Sequence, residues 1–193
     1  GGDPENLKDE YLTTLGGNMA YRLQDWTLGG TYYYQMGAEA NGQTVDAYMY
    51  SIYAKLQVNT ITYTVGNDRL SGNDLGVDSN NDSSFNPLYG THHKFYGLMD
   101  YFYVGNNHGD VGINDIYAKM AWRKSPKLLL GLAIHRFATD GQINGEQAYL
   151  GTEIDLTFNY ALAKHMNLQG GYSQMIANET MELLKGGDAG QMQ

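Results

Sequence analysis

Eight charged or ionisable residues stand at the polar positions of segments in which apolar and polar side chains alternate: Arg22, Lys55, Asp115, Lys119, Arg123, His135, Glu153 and Asp155. In a strand that spacing puts them on one face. The cations fall mainly on earlier segments, and two carboxylates, Glu153 and Asp155, share a later one. Lining a polar wall, such residues set up a transverse field that selects among charged solutes. The same residues also fit a plainer role, pairing across neighbouring strands and keeping the wall wet. Both readings stand at this point.

Bond-breaking chemistry has little to work with. The sequence holds no G-x-S-x-G elbow, no phosphate-binding glycine loop and no H-E-x-x-H pair. His135, Asp140 and Glu146 are the residues from which a rim-type active site would have to be assembled, and nothing local requires it. Asp78-Ser79-Asn80-Asn81-Asp82 has the flavour of a calcium loop, but Ser83 stands where glycine belongs and no closing glutamate follows. His92 and His93, as adjacent strand residues, point to opposite faces and do not form a metal pair. The reading is of a protein that is not an enzyme and needs no metal or cofactor.

The elements that carry these residues are strands. In Tyr48–Val58, Tyr50, Ile52, Ala54, Leu56 and Val58 alternate with Ser51, Tyr53, Lys55 and Gln57. Leu128, Leu130, Leu132 and Ile134 oppose Gly131, Ala133 and His135. Ile154, Leu156, Phe158 and Tyr160 oppose Glu153, Asp155, Thr157 and Asn159. About eight strands are expected, each long enough to cross a tilted bilayer path of ~9–11 residues. Short turns are expected at Gln24-Asp25, Asn59-Thr60, Ser125-Pro126 and Ala161–His165, and long links over Ala38–Asp46, Ser71–Val111 and Ala138–Ala148. Tight turns at one end and long loops at the other are the habit of outer-membrane barrels. Tyr11, Trp26, Tyr48, Trp122, Tyr149, Tyr160 and Tyr172 fall near strand ends, where interfacial aromatics belong.

Bulk properties fit without deciding. The chain has 193 residues, 25 glycines, 17 tyrosines, no cysteine and a net charge of −9, with a mean hydropathy of −0.46. That hydropathy reads as soluble, yet barrel strands dilute their apolar half with a polar one. No cluster of Lys and Arg tracks a phosphate backbone, so nucleic acid is not an expected partner. The opening Gly1-Gly2-Asp3-Pro4 and the polar tail suggest a piece of a longer chain. A lipocalin-like barrel or β-sandwich, with its apolar residues turned inward, also alternates and stays open on pattern alone.

The run Phe85-Asn86-Pro87-Leu88-Tyr89-Gly90-Thr91-His92-His93-Lys94-Phe95-Tyr96-Gly97-Leu98-Met99-Asp100-Tyr101 resembles the long-loop motif of alginate-export-domain outer-membrane porins, Bacteroidetes-type members especially. Gly112–Lys119 and Gly171–Met175 with Glu182–Gly186 are similar to the same family. The resemblance covers most of Phe85–Gly186 and implies an all-β, transmembrane, antiparallel up-and-down barrel. It also implies about eighteen strands, of which this chain, residues 1–193, is one partial domain. It implies location in the outer membrane, contact with the lipid bilayer, and passive passage of an anionic polysaccharide or small solute. A barrel enzyme and a soluble β-barrel binding protein remain the alternatives. The inserted loop, residues 71–111, is expected to fold inward as a constriction bearing Phe85, Tyr89, His93, Lys94 and Phe95, or else to form another strand over Lys94–Val104. Such a family is expected to line its pore with arginine, and only Arg22 and Arg123 on this wall are arginine. Arg136 falls on the opposite parity near a loop end.

Overall fold

Period-two alternation becomes one antiparallel sheet. The computed structural model describes residues 11–38, 42–77, 80–87, 95–102, 110–144 and 146–185. In chain order the strands are β1 (Leu12–Leu23), β2 (Trp26–Ala38), β3 (Thr44–Val58), β4 (Ile61–Leu70), a short β5 (Asn81–Asp82), β6 (Ile113–Ser125), β7 (Leu128–Ile143), β8 (Glu146–Ala163) and β9 (Met166–Ala177). A single helix, α1 (Glu179–Lys185), follows. The order across the sheet is β1-β2-β3-β4-β6-β7-β8-β9, with β5 pairing in parallel to β3. Each long strand pairs with its sequence neighbour and runs 10 to 18 residues, well beyond the ~5–6 usual in globular proteins. The sheet is not closed, and β1 and β9 are its edges.

Four short turns gather at one end, as expected. Gln24 and Asn59 enter theirs with left-handed backbone at φ 52° and 51°. At the other end the expectation needs one correction. Ala138–Ala148 is not a loop, because β7 runs on to Ile143 and β8 starts at Glu146. Register shifts at Phe137/Ala138 and Ala138/Gln142 break the period there, which hid the strand in the sequence. The segment after β4 is also more tied than its Asn, Asp and Ser content implied. β5 adds to β3, Asn73 donates from Nδ2 to Asp82 Oδ1 at 2.7 Å, and Asn73 Oδ1 accepts from Ser83 N at 2.7 Å. Of the strand considered over Lys94–Val104, the described part, residues 95–102, holds bends and turns instead.

The two faces differ sharply. Ile52 (54% exposed), Val65 (56%) and Leu156 (49%) lie bare on one face with Leu28, Ile116, Ile134 and Leu168. On the other face Gln35, Asp68, Asp115, His135, Glu153 and Asp155 are buried. The only apolar cluster found among the described residues also sits on this polar face, at the end away from the short turns. It brings Phe85, Tyr96 and Phe102 from the 71–111 segment onto Ile113, Phe137, Leu150 and Met175 of the sheet and Met181 of α1. Phe102 and Phe137 meet with ring centroids 4.7 Å apart.

Glycine and tyrosine interlock on the same face. Gly29, Tyr53, Gly66 and Tyr117 follow one another across β2, β3, β4 and β6. A Cβ at Gly29 would lie 2.3 Å from the Tyr53 ring, and one at Gly66 would lie 2.4 Å from the Tyr117 hydroxyl. Each ring therefore lies flat over the backbone of its neighbour, the pairing by which aromatics shield strand glycines.

Phe137→Ala should empty the centre of the apolar cluster and cost about 3–5 kcal/mol. A urea unfolding series that detects a loss well under that range would mean the cluster is not a stabilising core.

Candidate functional site

The pairing registers place all eight sequence-selected residues, Arg22, Lys55, Asp115, Lys119, Arg123, His135, Glu153 and Asp155, on the polar face. One cross-strand row runs Arg22, Thr27, Lys55, Thr64, Lys119, Ala133, Asp155, Ser173. The next row towards the loop end carries Tyr53, Tyr117, His135 and Glu153. The one beyond it carries Ser51, Asp68, Asp115 and Phe137. Arg123 lies nearer the short turns. Asp155 thus shares the row of Arg22, Lys55 and Lys119, while Glu153, Asp68 and Asp115 lie in the two rows nearer the loops. Asp68 on β4, beside Asp115, is an acid of this face that the sequence analysis does not select.

His135 is held from several sides. Its Nδ1 lies 2.8 Å from Asp115 Oδ2, its Nε2 lies 3.9 Å from Asp155 Oδ2, and its ring stacks on Phe137 at 5.6 Å. Ser51 Oγ donates to Asp68 Oδ1. Among the described residues no donor reaches Asp115 Oδ1, Glu153 Oε2 or either oxygen of Asp155. Lys119 Nζ sits 4.4 Å from the Tyr117 ring centroid and Lys55 Nζ 5.8 Å from that of Tyr53. Both amines lean on the tyrosines of the next row, towards the acids. A cleft of about 520 Å³ opens here, lined by Lys55, Thr64, Lys119, His135, Asp155 and Leu98.

The inserted segment is fastened to this face by Gln35, Glu153, Arg69 and Asp140, of which Gln35 and Arg69 are not selected from the sequence. Gln35 of β2, 1% exposed, donates from Nε2 to Asn86 O at 2.7 Å and accepts from Asn86 N at 2.8 Å. On β8, Glu153 Oε1 accepts from Leu98 N at 2.6 Å and Met99 N at 3.0 Å. At the base of the segment Arg69 pairs with Asp140, whose other oxygen accepts from Gly72 N at 3.0 Å. The only sequence signal for Gln35 was its polar parity within a Tyr- and Gly-rich strand. Of the residues assigned to a constriction, Phe85 is buried in the apolar cluster and Phe95 packs against it. Tyr89, His93 and Lys94 lie outside the described residues, as do His92, Asp78, Ser79 and the Glu146 side chain.

The residues considered for a rim active site have other partners: Asp140 is taken by Arg69 and Gly72, and His135 faces Asp115. Asp82 Oδ1 is occupied by Asn73 Nδ2 and Ser84 N. Among the described residues, no group of three His, Cys, Asp or Glu is placed to hold a metal ion. Arg136 lies exposed on the apolar face with its guanidinium 4.9 Å from the Tyr149 ring centroid. No family model matches the chain, and no curated protein matches it.

Two titrating groups report on how firmly the segment and α1 are seated. Burial pushes the Lys185 ammonium, 5.5 Å from the Phe102 ring centroid, down to about 8. Burial, with Asp68 and Asp115 nearby, raises the Tyr96 hydroxyl above its usual range. Between pH about 8 and about 10.4 the unfolded chain holds a proton on Lys185 that the folded one has lost, so stability rises with pH. Above pH about 10 the unfolded chain loses the Tyr96 proton while the folded one keeps it, so stability falls. The thermal midpoint of the wild type relative to Lys185→Met should therefore climb between pH 7.5 and 9.5. A flat difference would show that Lys185 is not buried.

Proposed function

We propose that this chain forms part of the wall of an outer-membrane channel of alginate-export type, through which an anionic polysaccharide or small solutes pass without nucleotide or cofactor. The observation that carries the reading is the contrast between faces. Long antiparallel strands expose a continuous aliphatic surface on one side and bury acids, imidazole and amide on the other. A soluble β-barrel or sandwich has the opposite preference, since water penalises an uncovered aliphatic face of this extent. In a bilayer that face is solvated by acyl chains, and the ladder satisfies the backbone internally once further strands close the sheet.

Aromatic placement supports the same reading. Trp26, Tyr63, Trp122 and Tyr160 lie towards the short turns. Tyr32, Tyr48 and Tyr50 stack towards the loops, with ring centroids 6.5 Å apart in each neighbouring pair. On β6, Trp122 and Asn114 bound this interval, and Asn114 shares a row with Arg69 and, across β4, Tyr50. At ~3.4 Å per residue and a tilt of ~40°, the interval is about 21 Å tall, near the ~25 Å apolar band of outer-membrane barrels. The alginate-type assignment rests on the likeness of Phe85–Gly186 to that family's motifs.

In this reading the whole protein should need detergent, shift its gel mobility on heating, and conduct ions in a planar bilayer. A protein that is monodisperse without detergent and silent in the bilayer would end the proposal. Depth dependence gives a sharper test. Val65 shares its row with Ala118, Ile134 and Ile154, midway between the aromatic belts, whereas Val58 lies in the Trp122 row. Val65→Lys should cost about 2–4 kcal/mol and Val58→Lys about 0–1 kcal/mol in reversible unfolding from lipid. On a soluble protein both exposed sites would change stability by about 0.5 kcal/mol or less.

A further inference from the structure

We propose that Glu153 is a latch that holds the tip of the inserted segment against the channel wall and so fixes the width of the passage. The inference rests on the channel reading for its consequence, though not for the latch itself. The geometry turns on one side-chain oxygen. Glu153 is fully buried on β8, and one oxygen takes both N–H groups at the tip, Leu98 and Met99. The approach is possible only because residue 97 is glycine. Its φ is +85°, and a Cβ there would lie 2.4 Å from Glu153 Oε1. Tyr96 (φ 65°) and Asp100 (φ 58°) flank it in the same left-handed region, which side-chain-bearing residues resist. A tip with this backbone persists only where its surroundings over-determine it. Here Glu153 fixes the centre, while Tyr96 and Phe102 anchor the two sides in the apolar cluster.

A second anchor lies far from the first. Gln35 mimics a strand edge and clamps Asn86 on β2, five inter-strand steps from β8, or about 24 Å along the sheet. The turn that Glu153 holds borders the cleft, where Leu98 joins Lys55, Lys119 and Asp155. Releasing the tip would enlarge the cleft without disturbing a single strand pair.

The test uses the whole protein folded in detergent and then reconstituted in planar bilayers. Glu153→Ala removes the acceptor, and Gly97→Ala pushes the tip off it. Both should speed amide exchange at Leu98 and Met99 roughly ten- to hundredfold, as expected when buried N–H groups lose their acceptor. Both should also raise single-channel conductance. Glu153→Gln keeps an oxygen in place to accept both N–H groups, and should restore most of the protection and a conductance close to wild type. Unchanged exchange in Glu153→Ala overturns the latch. So does Glu153→Gln behaving like Glu153→Ala, which would assign the effect to lost wall charge. Should Glu153→Ala fail to fold, Gly97→Ala against Glu153→Gln decides by the same two readouts. A wild-type protein that conducts nothing, with exchange still responding to these substitutions, would sink the channel reading and leave the latch intact.

Discussion

The constraint behind this structure is the strict two-residue period of a hydrogen-bonded ladder. Once β3 pairs with β2 and β4 in register, Ile52 must share a face with Ala54 and Leu56, while Ser51, Tyr53 and Lys55 must share the other. No local adjustment can trade one set for the other, since a one-residue slip would invert every side chain on the strand. Eight long strands obeying that rule yield an aliphatic surface that the described residues do not cover. Its counterpart is a polar surface with room for buried charge. The protein stabilises the second surface internally and leaves the first to its surroundings.

Polar burial on that second surface is organised rather than diffuse. Carboxylates that would be costly alone are placed against His135, Ser51 and the backbone donors of the inserted segment. Apolar packing is confined to the loop end, where Phe102, Phe137 and Met181 exclude water around the same network. The described parts of the inserted segment thus have two kinds of attachment: burial of Phe85, Tyr96 and Phe102 in the apolar cluster, and hydrogen bonds to Gln35 and Glu153.

Much of this was legible in the sequence wherever period two was unbroken. Tyr48–Val58 and the stretch ending at Tyr160 read as strands with the correct parity, and all eight selected residues fall on one face because parity alone decides it. Legibility failed where the period breaks. The bulges near Ala138 turned the ends of β7 and β8 into an apparent loop. Asp68 was passed over because it lies at the loop end of β4 in the polar run Gly66-Asn67-Asp68-Arg69, where apolar partners no longer mark the alternation. Gln35 and Glu153 could not be recognised as anchors, because their partners, Asn86, Leu98 and Met99, are backbone groups far away in the chain. Side-chain identity carries no record of such long-range main-chain contacts.

The paired glycines and tyrosines of the wall have a geometric consequence. A tyrosine ring standing upright from a strand projects well beyond the sheet, and several of them in one row would crowd the polar face. Laid flat over Gly29 and Gly66, the rings of Tyr53 and Tyr117 instead form a thin tiled lining, and the stems of Lys55 and Lys119 lean over those tiles. The thickness of such a face is governed less by which side chains it carries than by whether the neighbouring strand leaves them somewhere to lie down.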